Sequence, residues 1–136
     1  MRAGDAASGE SSYRALIVED DPAIRRLVEK LLSRHHIVVD TAADGRTAIE
    51  KLEKNRYTVI VLDLMVPEVS GFEVIDFLKR QNSRTPVAVV SAVSQQALTT
   101  LDLDVVKLVI SKPFDVDEFT KAILTLCAES GELPAG

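Results

Sequence analysis

Ala15-Leu16-Ile17-Val18-Glu19-Asp20-Asp21-Pro22 decides how this chain folds: an unbroken apolar run ends on consecutive acids and a proline. An apolar run without polar alternation is what a strand covered on both faces requires. Asp21 before Pro22 makes a good helix N-cap with proline at the first helical position. Strand therefore passes into helix within a few residues. Beyond the turn, Ile24, Leu27, Val28, Leu31 and Leu32 recur at helical spacing.

The same unit repeats downstream. Ile37-Val38-Val39 precedes Ala48, Ile49 and Leu52, and Val59-Ile60-Val61-Leu62 precedes Phe72, Ile75 and Leu78. Val87-Ala88-Val89-Val90 precedes Ala97, Leu98 and Leu101, and Val105 to Ile110 precedes Phe119, Ala122, Ile123 and Leu126. Alternation of apolar runs with amphipathic stretches predicts an α/β fold, a doubly wound (βα)5 chain with a five-stranded parallel sheet. Right-handed crossovers then put helices on both faces. Thr99, Thr100, Asp102 and Asp104 break the period of the fourth helix, which is expected to be short.

The chain has 136 residues, the size of one ordinary domain, with 46% hydrophobic and 27% charged residues. Residues 1–12 and 129–136, rich in small and polar types, are read as flexible tails around a domain at 13–128. A net charge of −5 offers no general basic face for nucleic-acid phosphates, so direct nucleic-acid binding is not expected. No apolar run approaches the ~20 residues that span a bilayer, and the start of the chain has no signal-peptide core. The single cysteine, Cys127, reads as a packing residue in a reducing, cytoplasmic setting. His35 and His36 read as polar residues at a helix end, and Gly71 as the turn into the third helix.

The polar residues that end the apolar runs carry the chemistry. Glu19, Asp20 and Asp21 follow the first run, Asp63 the third, Ser91 the fourth and Lys112 the fifth. In a parallel sheet all these positions fall on the carboxyl edge, where open α/β sheets bind ligands. Two carboxylates ~4 Å apart repel by about 4 kcal/mol at an effective dielectric of 20. Clustering Glu19, Asp20 and Asp63 is therefore costly without a cation, and an open rim with few protein oxygens suits Mg²⁺ better than Ca²⁺. The plainer reading, capping and turn residues, accounts for Asp21 but leaves the cluster unexplained.

Leu16-Ile-Val-Glu-Asp-Asp-Pro22, Val61-Leu-Asp-Leu-Met-Val-Pro67, Ser91-Ala92 and Ser111-Lys-Pro-Phe114 resemble the motifs of bacterial two-component response-regulator receiver (CheY-like) domains over about residues 13–128. The resemblance implies a flavodoxin-like sheet of order 2-1-3-4-5. It implies that Asp63 accepts a phosphoryl group with Mg²⁺, from a sensor histidine kinase, a histidine phosphotransfer protein or a small acyl phosphate. Metal ligands are then Asp20, Asp63 and the Met65 carbonyl, with Glu19 acting partly through water. Ser91 and Lys112 would contact the phosphoryl oxygens, and a cis Lys112-Pro113 bond would help aim the lysine. Such a domain is a signalling switch in a phosphorelay, not an enzyme beyond its own phosphorylation and dephosphorylation. An output domain or protein, or a weak homodimer, would use the helix 4, strand 5 and helix 5 face, with no membrane contact.

The chain departs from the family's pattern in places. Val109 stands where a switching aromatic is usual, and Leu103-Asp-Val-Val-Lys107 replaces the usual Gly-Ala-Asp run. Met65 and Val93, the positions flanking the water that hydrolyses an aspartyl phosphate, are apolar or nearly so. Met65 also argues against a haloacid-dehalogenase-type phosphatase, which needs an aspartate there. Neither a Gly-x-Gly-x-x-Gly nor a P-loop motif is present to cradle a nucleotide.

Overall fold

A computed structural model of the chain describes residues 13–130, the side chain of Gln95 excepted. The elements alternate in sequence: β1 (Arg14–Val18), α1 (Pro22–Ser33), β2 (Val38–Ala42), α2 (Gly45–Lys54), β3 (Val59–Leu62), α3 (Gly71–Arg80), β4 (Val87–Ser91), α4 (Gln95–Leu98), β5 (Val106–Ser111) and α5 (Val116–Ser130). The strands form one parallel sheet in the order β2-β1-β3-β4-β5. The doubly wound architecture expected from the sequence is the one observed.

Side-chain alternation splits the inner strands between two cores. Leu16, Val18, Ile60, Leu62, Val87 and Val89 pack against Ala48 of α2 and Val74, Ile75 and Leu78 of α3. Ala15, Ile17, Val59, Val61, Ala88 and Val90 pack against Val28 and Leu32 of α1 and Phe119, Ile123, Leu126 and Cys127 of α5. Between Arg14 at the start of β1 and Ser91 at the end of β4, the inner strands are apolar at every position because each position serves one of two layers. Leu27, placed in the α1 stripe by its spacing, instead faces outward.

The edge strands differ from the expectation of full burial. β2 begins at Val38 and runs through Asp40 and Thr41 to Ala42, not over Ile37-Val38-Val39. Its register is set by pairing with β1, Arg14 opposite Val38 and Val18 opposite Ala42, while Ile37 packs below it in the α1–α5 core. Asp40 is tolerated in the strand because it accepts hydrogen bonds from the Tyr57 hydroxyl at 2.6 Å and the Arg14 guanidinium at 2.8 Å. β5, on the other edge, alternates between covered and exposed positions.

α4 is a four-residue helix, short as expected. The Thr99 and Thr100 hydroxyls donate back to the Gln96 and Ala97 carbonyls, each at 2.7 Å, and the following N–H groups tighten to i→i−3 bonds. α1 is capped as read: Asp21 accepts from the Ala23 and Ile24 N–H groups, with Pro22 at N1. α5 continues through Glu129 and Ser130, residues the sequence reading gave to a tail. Its last turn is closed by the Ser130 hydroxyl, which donates to the Cys127 carbonyl. The tail readings for 1–12 and 131–136 lie outside the described residues.

Candidate functional site

The carboxyl edge of the sheet is built by letting the ladder run one residue past the strands. The Glu19 N–H donates to the Ala42 carbonyl at 3.0 Å, the Asp63 N–H to Val18 at 3.0 Å and the Lys112 N–H to Ser91 at 3.1 Å. The backbones of Glu19, Asp63 and Lys112 are therefore as fixed as the sheet itself. Ser91 and Asp20 join them at this edge, so all five residues expected there come together.

Lys112 Nζ lies 2.7 Å from Glu19 Oε1 and 3.0 Å from Asp63 Oδ2. Asp63 Oδ1 accepts from the Ser91 hydroxyl at 2.9 Å and from the Met65 N–H at 3.0 Å. Glu19 Oε2 accepts from the Asp21 N–H at 3.1 Å. Asp20 is exposed, and one carboxylate oxygen from each of Glu19, Asp20 and Asp63 lies within 4.8 Å of the others. Three carboxylates against one ammonium leave a formal charge of −2 at the rim. The donors are all oxygens, the charge matches one divalent cation and Asp20 faces solvent, so the residues fit a hard metal ion.

Burial opposes ionisation of Asp63, but the Met65 N–H, Lys112 and Ser91 outweigh it and hold the carboxyl below its ordinary range. Burial pushes Glu19 up, and the neighbouring Asp63 charge adds to that, against Lys112 and the Asp21 N–H. Burial would lower Lys112, yet Glu19 and Asp63 together raise it. Asp63 is thus a carboxylate held in place by a backbone N–H, with a hydroxyl and an ammonium beside it. Burying an ion pair of this kind contributes little net stability.

Two glycines tighten the loops around the site. Gly71 opens α3 and donates its N–H to the Leu64 carbonyl; an added Cβ would stand 2.5 Å from Leu64 Cα and 2.7 Å from the Asp63 carbonyl. Only glycine lets α3 start this close to the Asp63 loop. Gly45, which the sequence reading did not single out, opens α2, and a Cβ there would strike the Val69 carbonyl. Arg25 was also missed: its guanidinium reaches the carbonyls of Glu19 and Asp20. Neither role has a local signature, because each depends on a partner from another element or turn.

The Lys112-Pro113 bond is cis, as the resemblance implied. Val109 lies on β5, 40% exposed, and Met65 is 65% exposed beside Asp63. Val93, just past β4, is half-buried against the α2–α3 core. His35 and His36 are exposed after the C-terminal end of α1 and take no part in the site. Cys127 is buried in α5, where burial pushes its thiol up to about 11.

The model of the response regulator receiver domain family matches residues 15–124. The chain is 35% identical over 132 residues to the transcriptional regulatory protein TcrA of Mycobacterium tuberculosis, covering 96% of this chain and 52% of TcrA. The chain therefore spans about half the length of that relative. The receiver domain of the Francisella response regulator 1452 superposes with a TM-score of 0.81 at 28% identity, covering 88% of this chain and 99% of that one. The response regulator TrrA of Thermotoga maritima, solved in complex with Mg²⁺–BeF, superposes with a TM-score of 0.75 at 26% identity, covering 84% and 98%. Among the described residues no helix is long and apolar enough to cross a membrane.

Proposed function

The chain belongs to the response regulator receiver domain family, and from that premise we propose that Asp63 is its phosphoacceptor, served by Ser91 and Lys112 in a site that takes Mg²⁺. The observation that carries this reading is the occupation of both Asp63 oxygens, Ser91 and Met65 N–H on one and Lys112 on the other. A carboxylate held this way faces the open rim with its charge intact.

An Asp63 oxygen forms the new bond to phosphorus as the donor's P–N bond, in a phosphohistidine, or P–O bond, in an acyl phosphate, breaks. The bonding pair leaves with the imidazole or the acid. Phosphoryl transfer asks a protein mainly for positioning and neutralisation of oxygen charge. Lys112 and the Ser91 hydroxyl, already within 3.0 Å of Asp63, turn to the incoming phosphoryl oxygens. Asp20, Asp63 and the Met65 carbonyl would hold the cation, with Glu19 acting through water. Mg²⁺ supplies the remaining neutralisation of the phosphoryl oxygens. Glu19 is buried while Asp20 is exposed, which suits Asp20 to direct contact with the cation and Glu19 to the indirect role that the resemblance implies.

Response regulators work with histidine kinases in two-component systems, and the donor here is taken to be such a kinase or a phosphotransfer protein. The output is taken to pass through the face of α4, β5 and α5 to a further domain or partner, or to a weak homodimer, since TcrA is a transcriptional regulatory protein about twice as long. The buried free thiol of Cys127 supports a cytoplasmic setting.

Acetyl phosphate with Mg²⁺ is expected to add one phosphoryl group, read by intact mass, and Asp63→Asn to abolish it. Equal labelling of the Asp63→Asn protein would remove Asp63 from the role.

A further inference from the structure

We infer that Arg25 is a positioning residue for the Mg²⁺ site, acting by fixing the direction of the Asp20 carboxylate; the inference rests on the reading of that site given above. Arg25 lies in the first turn of α1, and its Nη1 donates to the Glu19 carbonyl at 2.8 Å and to the Asp20 carbonyl at 3.3 Å. Among the described residues no backbone N–H is paired with either carbonyl: the ladder ends with Glu19 N–H on Ala42, and the first helical bond runs from Arg25 N–H to Asp21. Pro22 has no N–H to offer.

The Glu19 carbonyl belongs to the peptide plane before Asp20, and the Asp20 carbonyl to the plane after it. Peptide units are planar and rigid, so holding both oxygens on one nitrogen fixes the planes on either side of the Asp20 α-carbon. The direction of the Asp20 Cα–Cβ bond follows. Glu19 needs no such help, because Lys112 and the Asp21 N–H hold its side chain directly. Asp20 is exposed, and among the described residues no hydrogen bond to its side chain is seen. A loose ligand must lose freedom on binding the cation, and preorganisation removes that cost.

Positioning and simple charge predict opposite signs. Removing a cation near a Mg²⁺ site raises metal affinity if only charge matters, and lowers it if Arg25 orients a ligand. The experiment titrates Mg²⁺ into the parent chain, Arg25→Met and Arg25→Lys, following backbone amide shifts, with circular dichroism to confirm folding. Arg25→Met is expected to bind Mg²⁺ about 10-fold more weakly, the usual scale for losing a partner that orients a ligand. Its Asp20 and Asp21 amide signals are expected to broaden before metal is added. Arg25→Lys, which keeps an N–H donor and the charge, is expected to recover part of the affinity. Equal or tighter binding by Arg25→Met, or no recovery by Arg25→Lys, overturns the inference. If Arg25→Met does not fold, Arg25→Gln replaces it with the same two outcomes. A parent chain that shifts no site amides with Mg²⁺ overturns the metal-site reading itself, and the inference with it.

Discussion

Lys112 Nζ stands 2.7 Å from Glu19 Oε1, with 17% of the lysine side chain and 6% of the glutamate exposed. This pair joins the ends of β5 and β1 and also neutralises part of the Asp63 charge. Removing one partner of a buried pair leaves an uncompensated charge. Lys112→Met should therefore lose roughly 3 kcal/mol of stability without divalent cation. The remaining cluster of Glu19, Asp20 and Asp63 has no ammonium, so Mg²⁺ should restore part of the loss. Urea denaturation with and without Mg²⁺ reads both quantities. An identical loss under both conditions would show that Lys112 and the cation do not share one field.

A second prediction lies at the opposite edge of the sheet, away from the phosphorylation chemistry. Burial opposes ionisation of Asp40, but the Tyr57 hydroxyl and Arg14 hold its carboxyl below the ordinary range. A folded value below the unfolded one, near 3.9, gives stability that is present above that value. It is lost as pH falls through the depressed folded value. Tyr57→Phe removes the 2.6 Å bond and should cost about 1–2 kcal/mol at neutral pH. The gap between parent and variant should shrink once both states bind the proton. Denaturation at neutral pH and again well below the unfolded value measures the gap; a constant gap would mean the bond does not depend on the Asp40 charge.

The inner part of the fold was legible because β1, β3 and β4 are buried on both faces, so their runs stand out without any context. β2 was not, because an edge strand may carry Asp40 and Thr41, and its register comes from β1 rather than from its own residues. The acids, Ser91 and Lys112 were legible for a topological reason: in a parallel sheet, whatever follows each apolar run meets at one edge. Arg25 and Gly45 were not legible. A helical arginine looks like any solvated one until the turn before it folds back, and Gly45 matters only through the Val69 carbonyl opposite.

A third prediction concerns transmission. Val109 has no ring to swing between buried and exposed states, so the response to phosphorylation should appear in the segment after Ser91. Little regular structure holds that segment: α4 is four residues long and is followed by i→i−3 bonds rather than a continuing helix. The Lys79–Asp102 ion pair, 2.8 Å, ties its far end to α3 at the surface. Hydrogen exchange with and without a beryllium fluoride mimic should change across residues 92–102. Changes confined to the neighbourhood of Asp63, with that segment silent, would rule out transmission through it.

The lifetime of the phosphorylated state is set by whether a water can be held in line with phosphorus. Met65 follows Asp63 by two residues, donates its backbone N–H to the Asp63 carboxylate at 3.0 Å and is 65% exposed. Val93 follows Ser91 by two residues and is half-buried against the α2–α3 core. Neither side chain can hold a water firmly by hydrogen bonding. Positioning is the main source of acceleration for such a hydrolysis, so these residues should leave it slow. Phosphorylated parent protein is therefore expected to outlast the Met65→Asn/Val93→Glu variant once donor is removed. The amide and carboxylate introduced there can orient the attacking water, and decay followed by intact mass should quicken by about 10-fold or more. Because Asp63, Ser91 and Lys112 are untouched, the labelling rate should change far less than the decay. Decay no faster than the parent's would mean that these two positions do not control access of water, and that the lifetime is set by the phosphoryl contacts alone.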